Sequence, residues 1–296
     1  MPDCVTDQAA LRKSITAEAS KAAGLMPGSW QERLFSAFFW LPAQRFSRLG
    51  AEFDRRITQD GISAALRWLL PRFASQVTVR GAENIPADGP VLLVSNHPGA
   101  FDGVVILAQT QRNDVKVIVS DVPFTRSLHA ASQHMIFSTG ENTQERMNAV
   151  RKSVRHLRSG GVLMLFPTGL VDPDPSFMPG AEQALSDWSQ SLEFFLRQAP
   201  KTRLVPAIVS GIIEPRYLNN FFARRQKTIR SRQKLAEYLE IGQLMILQKD
   251  LGLTPRVSFG RPITLIELTE RPEESLMEQI IQNARKLLIE HIQAGD

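Results

Sequence analysis

VLLVSNHPGAFD, residues 91–102, sets an apolar run directly against a polar knot, Asn96-His97-Pro98-Gly99-Ala100-Phe101-Asp102. A short apolar run without alternation reads as a strand covered on both faces, as in a parallel sheet. A polar cluster just past it stands where open α/β sheets build their sites, beyond the carboxyl ends of strands. Outward from this stretch the texture recurs. QVTVR at 76–80, VKVIVS at 115–120, MIFS at 135–138, VLMLF at 162–166 and LVPAIV at 204–209 read as further strands, and RVSFG at 256–260 as a late one. Helical patterns separate them at 102–111 and at 143–158, where Met147, Val150, Val154 and Leu157 share a face and Gly160-Gly161 supplies the stop. Strand and helix in alternation predict an α/β fold with a mostly parallel central sheet flanked by helices.

The flanks are helical. Residues 1–75 read as a helical N-terminal region closed by Pro71, residues 76–270 as the α/β domain, and residues 271–296 as a C-terminal helix packed on it. Leu276, Ile280, Leu287, Leu288 and Ile292 give that last helix, from about Pro272, its apolar side. From Tyr217 to Gly252 the pattern is again helical and carries a basic cluster, ARRQKTIRSRQK, at 223–234.

Composition narrows the classes. The chain has 296 residues, of which 43% are hydrophobic and 22% charged, enough for a full core and too polar for a membrane-embedded bundle. Its single cysteine, Cys4, excludes an internal disulfide and fits a reducing, cytoplasmic compartment. The first residues lack the apolar centre of a secretory signal, and LFSAFFWLP at 34–42 is too short to span a bilayer. Phe35, Phe38, Phe39 and Phe46 beside Arg45 and Arg48 fit either a core-facing helix or one lying on a membrane. A net charge of +5 favours an anionic partner.

His97 and Asp102 are the residues with chemistry to offer. A histidine beyond a strand end accepts a proton near neutral pH when a partner on its other ring nitrogen fixes the tautomer. Asp102 is placed to be that partner, because Pro98 and Gly99 permit the turn that returns the chain to His97. The same residues admit a second reading, in which Asp102 only caps its helix and His97 only satisfies turn carbonyls.

NHPGAF-D resembles the asparagine-histidine-four-residues-aspartate block of the PlsC-like glycerolipid acyltransferases. The resemblance implies that His97 is the general base and that Asp102 orients it. LFPTGL at 165–170 resembles the family's phenylalanine-proline-glutamate-glycine block, with Thr168 at the glutamate position and Val171-Asp172-Pro173 following. LVPAIVSG at 204–211 is similar to the family's fourth block, and Arg146, in the interval of the arginine-bearing second block, is the nearest candidate for acceptor phosphate, ahead of Arg151 and Lys152. By this resemblance Asn96, Gly99, Arg146, Phe166, Pro167, Thr168, Gly169 and Pro206 are the candidate substrate-binding positions. Acyl-CoA or acyl carrier protein is the implied co-substrate, a lysophospholipid or related lipid the implied acceptor, and the cytoplasmic face of a membrane the implied place of work.

Under that reading no acyl-enzyme forms and no cofactor is bound. Backbone amides around Gly169 or the Pro98-Gly99 turn are candidates to hold the oxyanion, and Phe101, Phe137 and Phe166 to line an acyl groove. No histidine or cysteine pair has zinc-like spacing, so no metal is expected. Two alternatives stand beside it. A lipid ester hydrolase is disfavoured because G-x-S-x-G is absent. A nonenzymatic binder of anionic membranes would use 223–234, whereas nucleic acid is not expected, since that cluster has no interleaved aromatics. The oligomeric state is not encoded in any pattern found.

Overall fold

The computed structural model describes residues 6–138, 143–248, 251–270 and 273–295. Cys4 and Pro272, and residues 139–142 of the interval compared with the second block, lie outside them. The chain divides into two units: Met1–Ser75, Val122–Ser132 and Ile213–Leu253 form one, and Gln76–Asp121, Gln133–Ile212 and Thr254–Asp296 the other. The helical unit thus takes two excursions out of the 76–270 span as well as the N-terminal region.

The helical unit contains α1 (Gln8–Ala22), α2 (Trp30–Asp60), α3 (Ile62–Leu69), α5 (Pro123–Arg126), α6 (His129–Ser132), α10 (Pro215–Leu218), α11 (Phe221–Arg224) and α12 (Ile229–Leu247). The Ser29 side chain accepts from the Glu32 amide to start α2, and Gly61, at φ 81°, ends it with a conformation that favours glycine. The apolar residues of α2 divide between two destinations. Phe39 stacks on Phe35 at 5.3 Å and packs against Gly242 of α12. Trp30, Leu34, Phe38 and Leu41, spaced along one helical stripe, stay exposed. Asp54, buried, takes the Thr6 hydroxyl at 2.7 Å and the Ala131 amide at 2.8 Å, which ties α2 to α6.

The second unit is built on a mixed sheet with β1 (Thr78–Arg80), β2 (Val91–Ser95), β3 (Val115–Ser120), β4 (Met135–Ser138), β5 (Val162–Leu165), β6 (Arg203–Ser210), β7 (Arg256–Phe259) and β8 (Ile263–Thr264). The order is β1-β7-β6-β2-β5-β3-β4, with β8 also beside β6. β2 runs parallel to both β5 and β6, β3 to β4 and β5, and β1 to β7; β6 is antiparallel to β7 and β8. The α/β fold expected from the sequence is the one observed. β2, β3 and β4 have the bounds expected from their runs, β1, β5, β6 and β7 differ by a residue or two, and Phe166 leaves β5 for the loop that follows.

Register explains the core. Val94 faces Leu165 and Pro206 across its two ladders, so Leu92, Val94, Leu163, Leu165, Leu204 and Ile208 form one sheet face. That face buries against α7 (Thr143–Arg158), α8 (Ala181–Ser186), α9 (Ser191–Gln198), α13 (Leu265–Thr269) and α14 (Leu276–Gln293), whose Leu157, Leu185, Leu192, Leu196, Leu268 and Ile280 join the cluster. The other face, Val91, Leu93, Val162, Met164 and Val205, is buried too, which is why these runs do not alternate. Capping boxes start α13 (Thr264 with Glu267) and α14 (Ser275 with Glu278). α4 (Asp102–Leu107) stops short of the expected 111, because the Gln109 and Thr110 side chains take the Val105 and Leu107 carbonyls that a continuing helix would use.

Candidate active site

β2 is the switch point of the sheet: the chain passes from it to β3, β4 and β5 on one side, while β6 lies on the other. The crevice beyond its carboxyl end is where α/β folds of this kind hold ligands. Asn96 is the first residue past the strand. Its Oδ1 accepts the Val209 amide at 2.8 Å and its Nδ2 donates to the Val209 carbonyl at 2.9 Å. With both polar ends of the side chain bonded to β6, Asn96 locks the strand ends together.

His97 follows, with its side chain 27% exposed. Its Nδ1 is 2.7 Å from Asp102 Oδ2. Asp102 is the first residue of α4 and is buried, so its carboxylate needs donors. It finds them in the Gly99 amide at 3.2 Å, the Gly103 amide at 2.6 Å and the imidazole. A carboxylate on Nδ1 places the ring proton there and leaves the basic lone pair on Nε2. The Phe166 ring stacks on His97 with centroids 4.2 Å apart and planes 20° from parallel, which fixes the imidazole from one face. Asp102 is the first residue of its helix and not the N-cap, which is Phe101, and its carboxylate bonds the Gly103 amide at the helix start as well as His97.

A second aspartate holds the backbone of His97. The His97 amide donates to Asp172 Oδ2 at 2.9 Å, and the Asp172 amide donates back to the His97 carbonyl at 2.7 Å. The Thr168 hydroxyl lies 3.2 Å from the same Oδ2 and 3.0 Å from the Leu170 carbonyl, two acceptors for one proton. Burial pushes the Asp172 carboxyl up to about 6, against the opposing pull of the His97 amide and Thr168. Asp174, fully buried, takes Ser176 N and Oγ and Gly211 N on Oδ1, and Ile212 N on Oδ2. The loop after β5 is thus buckled to the ends of β2 and β6. Sequence reasoning missed both aspartates. Their signal was D-P-D at 172–174 just past a strand end, where neighbouring strands offer unpaired amides.

The remaining expected positions divide. Phe166, Thr168 and His97 come together through the contacts above. Pro167 is buried, its carbonyl accepting the Ser189 amide at 3.2 Å. Of the backbone amides around Gly169 and the Pro98-Gly99 turn, that of Gly99 bonds Asp102 and that of Gly169 the Phe166 carbonyl at 3.0 Å. Pro206 lies in an interior strand, buried, not at an edge. Its carbonyl takes the Gly260 amide at 2.8 Å, and a missing N–H is tolerated there because β7 ends and β8 has not begun. A Cβ on Gly260 would sit 2.8 Å from the proline ring, so the ring packs closely against the Gly260 backbone. Arg146 is exposed near the start of α7 and bonds Thr143 Oγ1 at 3.4 Å; Arg151 and Lys152 are exposed as well. Phe101 is buried as the residue before α4, and Phe137 sits in β4. No group of three or more metal-binding side chains occurs among the described residues.

An acyltransferase family model matches residues 76–210, from the strand segment at β1 to the end of β6. No curated protein matches the chain. Among solved structures, the 1-acyl-sn-glycerophosphate (LPA) acyltransferase PlsC from Thermotoga maritima is similar, at 14% identity over 93% of each chain with a TM-score of 0.43. The family match is a match of sequence, and it encloses His97, Asp102, the 165–170 block and Pro206 alike. The chain carries an acyltransferase-family domain at residues 76–210.

Proposed function

We propose that this domain transfers a fatty acyl group from a thioester, acyl-CoA or acyl carrier protein, to the hydroxyl of a lysophospholipid or related lipid. The observation that carries the proposal is the 2.7 Å contact between His97 Nδ1 and Asp102 Oδ2 on a ring that keeps partial exposure. His97 Nε2 takes the acceptor proton as the oxygen attacks the thioester carbonyl. Asp102 stabilises the imidazolium that forms. Collapse of the tetrahedral intermediate breaks the carbon–sulfur bond, and the imidazolium returns its proton to the departing thiolate. The free energy in the thioester drives the exchange without an acyl-enzyme. Phe166 keeps the ring in plane, and Asp172 keeps its backbone in place.

Arg146 is the side chain we assign to an acceptor phosphate. It follows β4, whose carboxyl end is at the same end of the sheet as that of β2, because the intervening strands are parallel. We assign the membrane surface to the exposed stripe of α2, Trp30, Leu34, Phe38 and Leu41, with the protein peripheral on the cytoplasmic face. No described helix is long and apolar enough to cross a membrane.

The test supplies labelled acyl-CoA, and in parallel acyl carrier protein, with a mixed lysolipid extract to wild-type and His97→Ala protein. Product from wild type alone supports the proposal. Equal product from both removes His97 as base, and covalent labelling of a serine by a phosphonate inhibitor would point to ester hydrolysis instead.

A further inference from the structure

The segment at 221–234, FFARRQKTIRSRQK, has no role in the chemistry above, and its construction is specific. It contains no acidic residue. Its inward side is fixed: Ala223, Gln233 and Leu235 are buried, and Arg232 donates to the Leu218 carbonyl at 2.7 Å and to Asn219 Oδ1 at 3.0 Å. Asn220 caps α11 through the Phe222 amide, and Thr228 caps α12 through the Ser231 amide. What these anchors hold outward is apolar and cationic together. Phe221, Phe222 and Ile229 are 60%, 62% and 55% exposed, and Arg224, Arg225, Lys227, Arg230 and Lys234 are exposed among them. The two phenyl rings meet edge to face at 5.6 Å, and the Arg225 guanidinium covers Phe221 at 4.1 Å from its centroid.

We infer that this surface, the α11–α12 corner of the helical unit, docks on an anionic lipid bilayer. Large exposed apolar side chains cost nothing to bury in the acyl boundary of a bilayer, and arginine and lysine stems reach from that depth to headgroup phosphates. Each such cation near an anionic surface strengthens binding several-fold. Nucleic acid would use the cations but not Ile229, which cannot stack on a base, and the Phe221 ring face is already covered by Arg225. The inference deepens the membrane-surface part of the proposed function and rests on that part, not on acyl transfer. It assigns the charge-dependent share of docking to 221–234 and divides the apolar share between Phe221, Phe222 and Ile229 of this surface and the exposed stripe of α2.

The experiment is cosedimentation of the full chain with phosphatidylcholine vesicles, with and without phosphatidylglycerol, across a salt series. The triple variant Arg224→Gln, Arg225→Gln, Arg230→Gln is expected to lose on the order of a hundredfold in affinity for the anionic vesicles. The corresponding Arg→Lys triple variant keeps most of it, which separates charge from folding. Phe221→Ser with Phe222→Ser weakens binding to both vesicle types. Acyl transfer to a monodisperse acceptor stays unchanged in all of them. Unaltered vesicle binding by the Gln variant overturns the inference; if Phe38→Ser alone abolishes binding, the α2 surface stands and the 221–234 surface falls. Tighter binding to a single-stranded oligonucleotide than to anionic vesicles at equal salt also overturns it.

Discussion

Two of the histidines of the α/β unit, His97 and His291, have surroundings that suit the same ring to opposite tasks. His97 is partly exposed and sits against a buried carboxylate. His291, near the end of α14, is 2% exposed and lies between two hydroxyls, Ser210 Oγ at 2.8 Å from Nε2 and Ser258 Oγ at 2.8 Å from Nδ1. Burial, with Arg256 and Arg80 adding repulsion, pushes His291 down to about 4. Neutral at physiological pH, it donates through one nitrogen and accepts through the other, and so pins the C-terminal helix to β6 and β7. A carboxylate partner and an opening to solvent suit a proton carrier; hydroxyl partners and a sealed site suit a strut.

The largest effect is expected at the open histidine. His97→Ala should lower kcat by between about 10^2- and 10^4-fold, the usual worth of a general base, while the melting temperature moves little. Asp102→Asn should cost about 10^2- to 10^3-fold in kcat, because an NH2 group facing Nδ1 no longer fixes the tautomer and cannot accept from the Gly99 amide, while the remaining Oδ1 keeps the Gly103 amide. Steady-state acyl transfer checks both. If Asp102→Asn retained full kcat, the carboxylate would be reduced to its bond at the start of the helix.

How much of this was legible follows from what each pattern encodes. VLLVS and VLMLF are apolar throughout because both sheet faces are covered, so a parallel sheet could be read from them directly. His97 and Asp102 were legible because a turn-forming Pro-Gly lies between them. Asn96 could be singled out from the sequence, but not the partner of its side chain: Val209 lies far along the chain, and hydrogen bonds of that range leave no local pattern. Asp172 and Asp174 escaped for the same reason, since their donors come from the ends of β2 and β6. His291 gave no signal at all. Within α14 it falls in an ordinary amphipathic sequence, and only the pairing of β6 with β7 brings its two serines together.

The sealed histidine should betray itself in stability, not turnover. His291→Ala leaves two buried hydroxyls without their partner and opens a cavity, for an expected loss of about 2–3 kcal/mol in urea unfolding at neutral pH, with kcat close to wild type. Its depressed pKa also has a definite sign. From the ordinary 6.5 down to about 4, the unfolded chain binds the proton that the folded chain refuses. Stability from this group is therefore complete above 6.5 and lost as pH falls through that window, by on the order of 3 kcal/mol. Loss of kcat in His291→Ala with unchanged stability would reverse the assignment of the two rings.

Asp172 supplies the opposite slope in nearly the same window, and this is the subtlest way to sharpen the comparison. Its carboxyl is raised from 3.8 to about 6, so between those values the folded chain binds the extra proton. The stability it contributes is complete below 3.8 and is lost as pH rises through 6. In the wild type the two slopes offset between pH 4 and 6, and the unfolding free energy should vary little there on their account. Asp172→Asn retains an acceptor for the His97 amide and removes the titration. It should gain about 2–3 kcal/mol at pH 7 relative to pH 4, measured against wild type, and expose the His291 slope. His291→Gln should do the converse. Because the hydrogen bonds between Asp172 and His97 run through the His97 backbone, the amide variant should lower kcat by no more than a few-fold; a loss as large as that of Asp102→Asn would mean that the carboxylate acts on the reacting atoms and not on the scaffold beneath them.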